Sequence, residues 1–330
     1  MMGMIKLACW LAAMLAGGYL LVLSAFKLPR RESLIGGLLV GIVFETVATV
    51  LFSYILPAPI PFIAAALLTL AAGAAAYFSE KSRPTLFTRD QIAPAVVFVI
   101  LTGLVYLICR GMGIFDDYAH LPTTSLIAAG DVPPHFALNR AVPYAYHYFL
   151  MIFAGQIERI GSLYAWSALD LARSVSFSLT VMLAGYWTTA LTRNKLAGLA
   201  GSLFMAFGGG ARWLLLWLPS DFLADISSRI TLIGSGASSG FTLLDALFTE
   251  WRVEGVGKLP VPFAFTNGIV QPGILAMHGA NGIMNLAILV WLLLSVRTAR
   301  GWKGAAVSAV VLASLSLVGE ADLWLIAAGW

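Results

Sequence analysis

Charged side chains and cysteines are both scarce in this chain of 330 residues. Only 11% of the residues are charged, less than half the roughly 25% of a soluble domain, which excludes a water-soluble enzyme. The two cysteines, Cys9 and Cys109, are too few for a disulfide-stapled secreted domain. The net charge of +4 comes from short, scattered basic clusters, so no nucleic-acid partner is indicated. Hydrophobic residues make up 60% of the chain, and this abundance predicts a protein that lies in the lipid bilayer.

Apolar segments of about 20 residues are typical of helices that cross a membrane. The sequence therefore predicts an all-α integral membrane protein in which residues 1–330 form a single polytopic domain. The first apolar segment is too long for a cleaved signal peptide, and we interpret it as a retained span. Eight spans are predicted, at about 5–26, 34–56, 61–78, 91–109, 168–191, 196–218, 277–297 and 304–325.

Basic residues follow every second predicted span. Since cytoplasmic connections are rich in Lys and Arg, this alternation predicts a multi-pass protein with its N-terminus outside. We expect it to lie in the plasma membrane. The connections at 110–167 and 219–276 are then external loops, and most of the acidic residues lie in them. The basic residues are Lys27, Arg30, Arg31, Lys81, Arg83, Arg89, Arg193, Lys195, Arg297, Arg300 and Lys303.

Two segments of the long connections are apolar but carry too many polar groups for a span. Residues 144–165 include Gln156, Glu158 and Arg159, and a crossing here would reverse the charge alternation downstream. In residues 241–251 apolar side chains recur at helical spacing, and the acidic side chains lie between them. Both are predicted to be juxtamembrane helices at the interface.

Asp116 and Asp117 form an acidic pair directly after the fourth predicted span. A carboxylate at the membrane surface can act as a general base for a hydroxyl acceptor, or it can hold a divalent cation. The alternative is a solvated loop start in which the carboxylates bond to nearby backbone. The residue types alone leave these interpretations open.

The residues after this acidic pair resemble a known superfamily. An acidic pair after an early span, a Pro-rich stretch and a Tyr-rich approach to a juxtamembrane helix resemble the first luminal loop of the GT-C polytopic glycosyltransferases. The segment with Tyr144, Tyr146, His147 and Tyr148, continuing as QIERIGSLYAWSALDLARSVSFSLTVMLAGYWTTALTRNKLAG, resembles the tyrosine-rich "YYY" membrane-protein family. A second stretch, from residue 241 to 297, is similar to that family's acidic loop followed by a His-bearing helix start.

The resemblance implies a membrane glycosyltransferase that moves a sugar from a polyprenyl-phosphate-linked donor to an acceptor on the external face. Asp116 or Asp117 would then be the catalytic base. Arg140 would bind phosphate, because it lies in the same loop as the acidic pair. The alternative role for any single Arg is an interfacial anchor. A divalent cation stays open as a cofactor, and no other cofactor is indicated. The other implied substrate-binding residues are Tyr144, Tyr146, His147, Tyr148, Glu250, Gln271, His278 and Asn281.

A second function fits the same sequence. The chain is then a non-catalytic membrane subunit or scaffold of a larger complex, whose partners are other membrane subunits and the lipid bilayer. The chain stops at Trp330 within an apolar stretch, so we expect it to be incomplete there.

Polar residues inside the spans add two expectations. His278, Asn281 and Asn285 share one helix face, which predicts either a polar cavity or hydrogen-bonded packing. Glu45 lies mid-span without an evident basic partner; we favour a neutral carboxyl bonded to a neighbouring helix over a proton relay. Small residues such as Gly36, Gly37 and Gly41 predict close helix packing.

Overall fold

A computed structural model shows a mostly helical protein. It describes residues 2–110, 117–144, 147–207 and 282–319, together with positions 219, 221–222, 225, 252–253, 257–258, 322–324 and 326. The chain divides into two units, a larger one of residues 1–202 with 277–330 and a smaller one of residues 203–276. Within the smaller unit, β3 (Arg252–Val253) pairs antiparallel with β4 (Gly257–Lys258).

Six described helices are long and apolar enough to cross a membrane, which supports the prediction of an all-α membrane protein. A shorter apolar helix, α8, runs over Lys195–Phe207, and another, α9, over Gly282–Ser295. Each predicted span overlaps a described helix, and the helix at the eighth span ends at Val318 rather than near residue 325. The long helices are α1 (Met2–Ala25), α2 (Arg30–Ser53), α3 (Ile60–Phe78), α4 (Ile92–Cys109), α7 (Ala165–Thr192) and α10 (Gly301–Val318).

The first long connection contains two short helices and a hairpin. Helix α5 (Asp117–Ala129) precedes the hairpin of β1 (His135–Phe136) and β2 (Asn139–Pro143), and α6 (Phe149–Gly161) follows it. At 13 residues each, both helices are about 20 Å long, too short to cross the hydrocarbon. The juxtamembrane helix predicted at 144–165 is present as α6. It does not lie on the surface, because Phe149–Ile157 is buried throughout.

Helices α1, α2 and α3 pack closely through glycines. A Cβ atom on Gly18 would lie 2.2 Å from the backbone nitrogen of Gly41 in α2. A Cβ atom on Gly73 of α3 would lie 2.2 Å from the carbonyl oxygen of Gly17. The predicted role of the small residues in close packing is therefore confirmed.

The basic connections meet at one end of the larger unit. The backbone nitrogen of Lys27 donates to the carbonyl oxygen of Thr298 (2.7 Å), and Lys303 pairs with Glu80 at the end of α3. Arg31 and Lys195 line one shared cavity. The other end holds the start of α1 and the end of α6, where a Cβ on Gly3 would lie 2.6 Å from the carbonyl oxygen of Gly161. The basic connections that alternate along the chain therefore lie together at one end of the larger unit.

Candidate functional site

A buried arginine in α7 is the centre of the first candidate site. Arg173 is 0% exposed, although a guanidinium keeps its charge at any ordinary pH. Its Nη1 atom lies 3.8 Å from Asp170 Oδ1, one helical turn earlier. Its Nη2 atom lies 3.5 Å from His120 Nδ1. A permanent positive charge is therefore enclosed in the bundle, and its neighbours among the described residues include a carboxylate and an imidazole.

Helix α5 contributes buried polar residues beside this charge. His120, 2% exposed, lies on the first turn of α5, three residues after Asp117, where the helix begins. Thr123 and Thr124 on the next turn are also buried, and the Thr123 hydroxyl donates to the carbonyl oxygen of Ala119 (2.8 Å). Asp116 and the side chain of Asp117 lie outside the part of the chain that the structure describes.

The end of α4 completes the same region. Cys109 Sγ lies 3.6 Å from the hydroxyl oxygen of Ser174, the residue after Arg173. Ser174 in turn donates to the carbonyl oxygen of Asp170 (2.6 Å). The charged cluster formed by His120, Asp170 and Arg173, which we call the arginine cluster, therefore lies where α4 ends and the long connection begins.

A second buried polar group joins α2 to α6. Gln156 Nε2 donates to Glu45 Oε1 (2.8 Å) and to the Thr49 hydroxyl oxygen (2.7 Å), and Thr49 donates to the same Glu45 oxygen (3.0 Å). All three residues are fully buried. The expected hydrogen bond between Glu45 and a neighbouring helix is confirmed, with Gln156 of α6 as the donor. Glu45 Oε2 and Gln156 Oε1 accept no hydrogen bond from any described residue.

The described tyrosines of the Tyr-rich segment, Tyr144 and Tyr148, pack into a core. Tyr144, 7% exposed, contacts the ring of Phe136 edge to face, with centroids 5.2 Å apart. Tyr148 packs against the cluster that also contains Val50 and Met151. Burial raises the pKa of Tyr148, and the nearby Tyr54 adds to that effect. Both tyrosines stabilise the start of α6.

Arg140, the predicted phosphate ligand, is exposed on β2. Near the same hairpin, His135 Nδ1 lies 2.7 Å from Asp131 Oδ1, and the His135 backbone nitrogen donates to Asp131 Oδ2 (2.9 Å). The Arg140 side chain is therefore accessible from outside the bundle.

Several predicted site residues lie outside the part of the chain that the structure describes. No group of three or more His, Cys, Asp or Glu side chains that could hold a metal ion occurs among the described residues. For the polar face predicted in α9, Asn285 is described, and its side-chain amide donates to Asp322. Outside the described residues lie Asp116, Tyr146, Glu250, Gln271, His278, Asn281 and the segment 241–251.

Sequence reasoning missed the arginine cluster, although one signal for it was present. Arginine is rare within an apolar helix and, where it occurs, it faces the bundle interior and marks a functional or paired position. Arg173 stands alone as a basic residue between positions 165 and 192. His120 gave no comparable signal, because its segment was interpreted as a loop.

Comparisons with protein-family models, with curated proteins and with solved structures found no match to this chain.

Proposed function

We propose that this protein is a membrane glycosyltransferase of the GT-C type, which transfers a sugar from a polyprenyl-phosphate-linked donor to a hydroxyl acceptor at the membrane surface. The observation that carries the proposal is the buried, permanently charged Arg173, one helical turn from Asp170 and beside the first turn of α5. A fixed cation at this place suits a reaction in which negative charge develops on a phosphate.

The proposed reaction assigns one task to the acidic pair and another to Arg173. Asp116 or Asp117 takes the proton from the acceptor hydroxyl, whose oxygen forms a bond to the anomeric carbon of the sugar. The bond from that carbon to the phosphate oxygen breaks, and the electron pair leaves with the polyprenyl phosphate. The charge of Arg173 stabilises that leaving phosphate through the low-dielectric interior, where electrostatic effects are stronger than in water.

The exposed Arg140 complements Arg173 in this proposal. A guanidinium on an accessible hairpin can meet the donor phosphate directly in a two-pronged contact. Asp170 and His120 act as positioning residues, because they hold the Arg173 guanidinium from two sides.

The test is a transfer assay on protein reconstituted in liposomes. The donors are radiolabelled polyprenyl-phosphate-linked mannose, glucose and arabinose, and detergent-extracted membrane glycans are the acceptor. We expect the double variant Asp116→Asn with Asp117→Asn to lose at least about a hundredfold in rate, the usual effect of removing a general base. The matched control Asp131→Asn, in the same loop, should keep the wild-type rate.

Arg173 needs a variant that separates charge from folding. We expect Arg173→Lys, which keeps a positive charge, to retain more activity than Arg173→Gln at equal yield of folded protein. Wild-type transfer by the double Asp variant would refute the catalytic assignment. Wild-type protein that is inactive with all three donors but co-purifies stoichiometrically with other membrane proteins would favour the non-catalytic subunit instead.

A further inference from the structure

An open groove of about 670 Å³ lies between α1, α3 and α6, away from the arginine cluster. Most of its lining is apolar, with Trp10 and Ala13 from α1 and Ile63 and Leu67 from α3. None of His120, Asp170 and Arg173 lines it. The groove is therefore a separate feature from the site of the proposed reaction.

The packing of its walls keeps the groove open. The glycine contact between α1 and α3 at Gly17 and Gly73 brings these helices together below it. The Trp10 indole nitrogen donates to the carbonyl oxygen of Phe62 (3.0 Å), and the Trp10 ring stacks on Phe153 of α6 at 6.2 Å. Trp10 is thus a fixed, buried base of the groove rather than a side chain that could fill it.

Two basic residues line the groove together with this apolar surface. Lys6 extends from the second turn of α1 and Arg159 from the last turn of α6, and both are exposed. Neither forms an ion pair with a described residue. The neighbouring acid, Glu158, lines an adjoining cavity with Ser125 of α5, and Arg159 lines both that cavity and the groove. Among the described residues that line it, the groove therefore offers two accessible positive charges and no acid.

We propose that this groove binds one anionic phospholipid, with its phosphate between Lys6 and Arg159 and an acyl chain along Trp10, Ala13, Ile63 and Leu67. The charge complementarity selects an anionic headgroup, since basic side chains near a membrane surface attract anionic lipids. The apolar lining selects a hydrocarbon chain over a soluble phosphate. Lys6 lies close to the start of α1, where a long basic side chain reaches the headgroup layer.

The experiment measures lipid retention by native mass spectrometry. Wild-type protein is purified in detergent and reconstituted in nanodiscs of phosphatidylglycerol or of phosphatidylcholine, and the lipid that survives delipidation is counted. We expect one phosphatidylglycerol to be retained, together with a higher unfolding temperature than in phosphatidylcholine. Removing both charges, with Lys6→Ala and Arg159→Ala, should reduce this retention roughly ten- to thirtyfold.

Two further variants make the result specific. Ala13→Trp leaves both charges in place but fills the apolar part of the groove, so it should also abolish retention. Arg110→Ala removes an exposed cation that does not line the groove and should retain lipid like the wild type. Equal retention of phosphatidylcholine, unchanged retention in the double charge variant, displacement by inorganic phosphate, or a preference for polyprenyl phosphate would each overturn the proposal. These readouts do not depend on sugar transfer, so they are independent of the proposed function.

Discussion

The helices α1–α3 and the helices α5–α7 are held together in different ways. In the first group the contacts are backbone to backbone, since Gly17, Gly18 and Gly73 leave no room for a side chain. In the second group polar side chains are enclosed between helices, with Arg173 of α7 beside His120 of α5 and both side chains buried. Backbone contacts fix distance but supply no reactive group, whereas buried polar groups are retained where charge or hydrogen bonding has a use. Chemistry is therefore expected at α5–α7.

The largest effect is expected in the helices that pack through glycines, α1–α3. Gly18→Leu would place a Cβ atom 2.2 Å from the backbone nitrogen of Gly41 and 2.3 Å from the carbonyl oxygen of Gly37. Because neither backbone atom can move without its helix, we expect a loss of unfolding free energy above the roughly 3 kcal/mol typical of overpacked cores. Steric trapping or denaturant unfolding in micelles measures this change.

Gly103→Ala is the matched control for that variant. Nothing lies within 4 Å of a Cβ atom built on Gly103 in α4, so alanine should leave stability unchanged or raise it by up to about 1 kcal/mol through helix propensity. If both glycine variants behave alike, the contrast between tightly packed and open glycines is wrong.

A smaller effect is expected at the contact between α2 and α6, where the two groups of helices meet. Gln156→Leu removes both hydrogen bonds from the amide and leaves Glu45 without the donor from α6. We expect a loss of about 1–3 kcal/mol, the usual consequence of leaving a buried polar group unsatisfied. Unfolding free energies of Gln156→Leu, Glu45→Leu and the double variant measure the coupling. The double variant should be less destabilised than the sum of the single ones; strict additivity would contradict the contact.

The smallest effect concerns pH and lies at the end of α6. Burial raises the pKa of Glu158 above its ordinary value of 4.5, and a hydrogen bond with Ser125 opposes this only in part. A carboxyl with a raised folded-state pKa binds more protons in the folded state. Its contribution to stability is therefore full below pH 4.5 and is lost as the pH rises through the raised pKa.

Glu158→Gln should remove this part of the pH dependence. Unfolding temperatures measured between about pH 4 and pH 8 should fall less steeply for the variant than for the wild type. The difference is expected to be small because the side chain is only partly buried. Parallel curves for the two proteins would show that Glu158 does not titrate differently in the folded state.

The sequence predicted the helices well because their signal is local. An apolar run of about 20 residues must bond its own backbone in lipid, so segments such as 61–78 and 91–109 correspond closely to α3 and α4. The basic connections also gave the correct grouping, since Lys27, Arg31, Lys195 and Lys303 all lie at one end of the larger unit.

The candidate site was harder to predict because its contacts are distant in the chain. His120 and Arg173 are 53 residues apart, and Glu45 and Gln156 are 111 residues apart. No periodicity within one segment encodes such a pair. Helix α5 was also missed, because Pro122 lies within it and proline usually indicates an end of a helix or a loop. The catalytic role of Asp116 and Asp117 stays a prediction.

The bond between Gln156 and Glu45 has a consequence for how the protein is made. The chain emerges from the ribosome N-terminus first, so α2 is synthesised 111 residues before the amide that satisfies its carboxyl group. During that interval Glu45 lacks its native hydrogen-bond donor from α6, although α2 is already available for insertion into the bilayer. The final packing of α2 must therefore wait for α6, and a chain arrested before residue 156 should leave α2 exposed to chaperones and to membrane quality control.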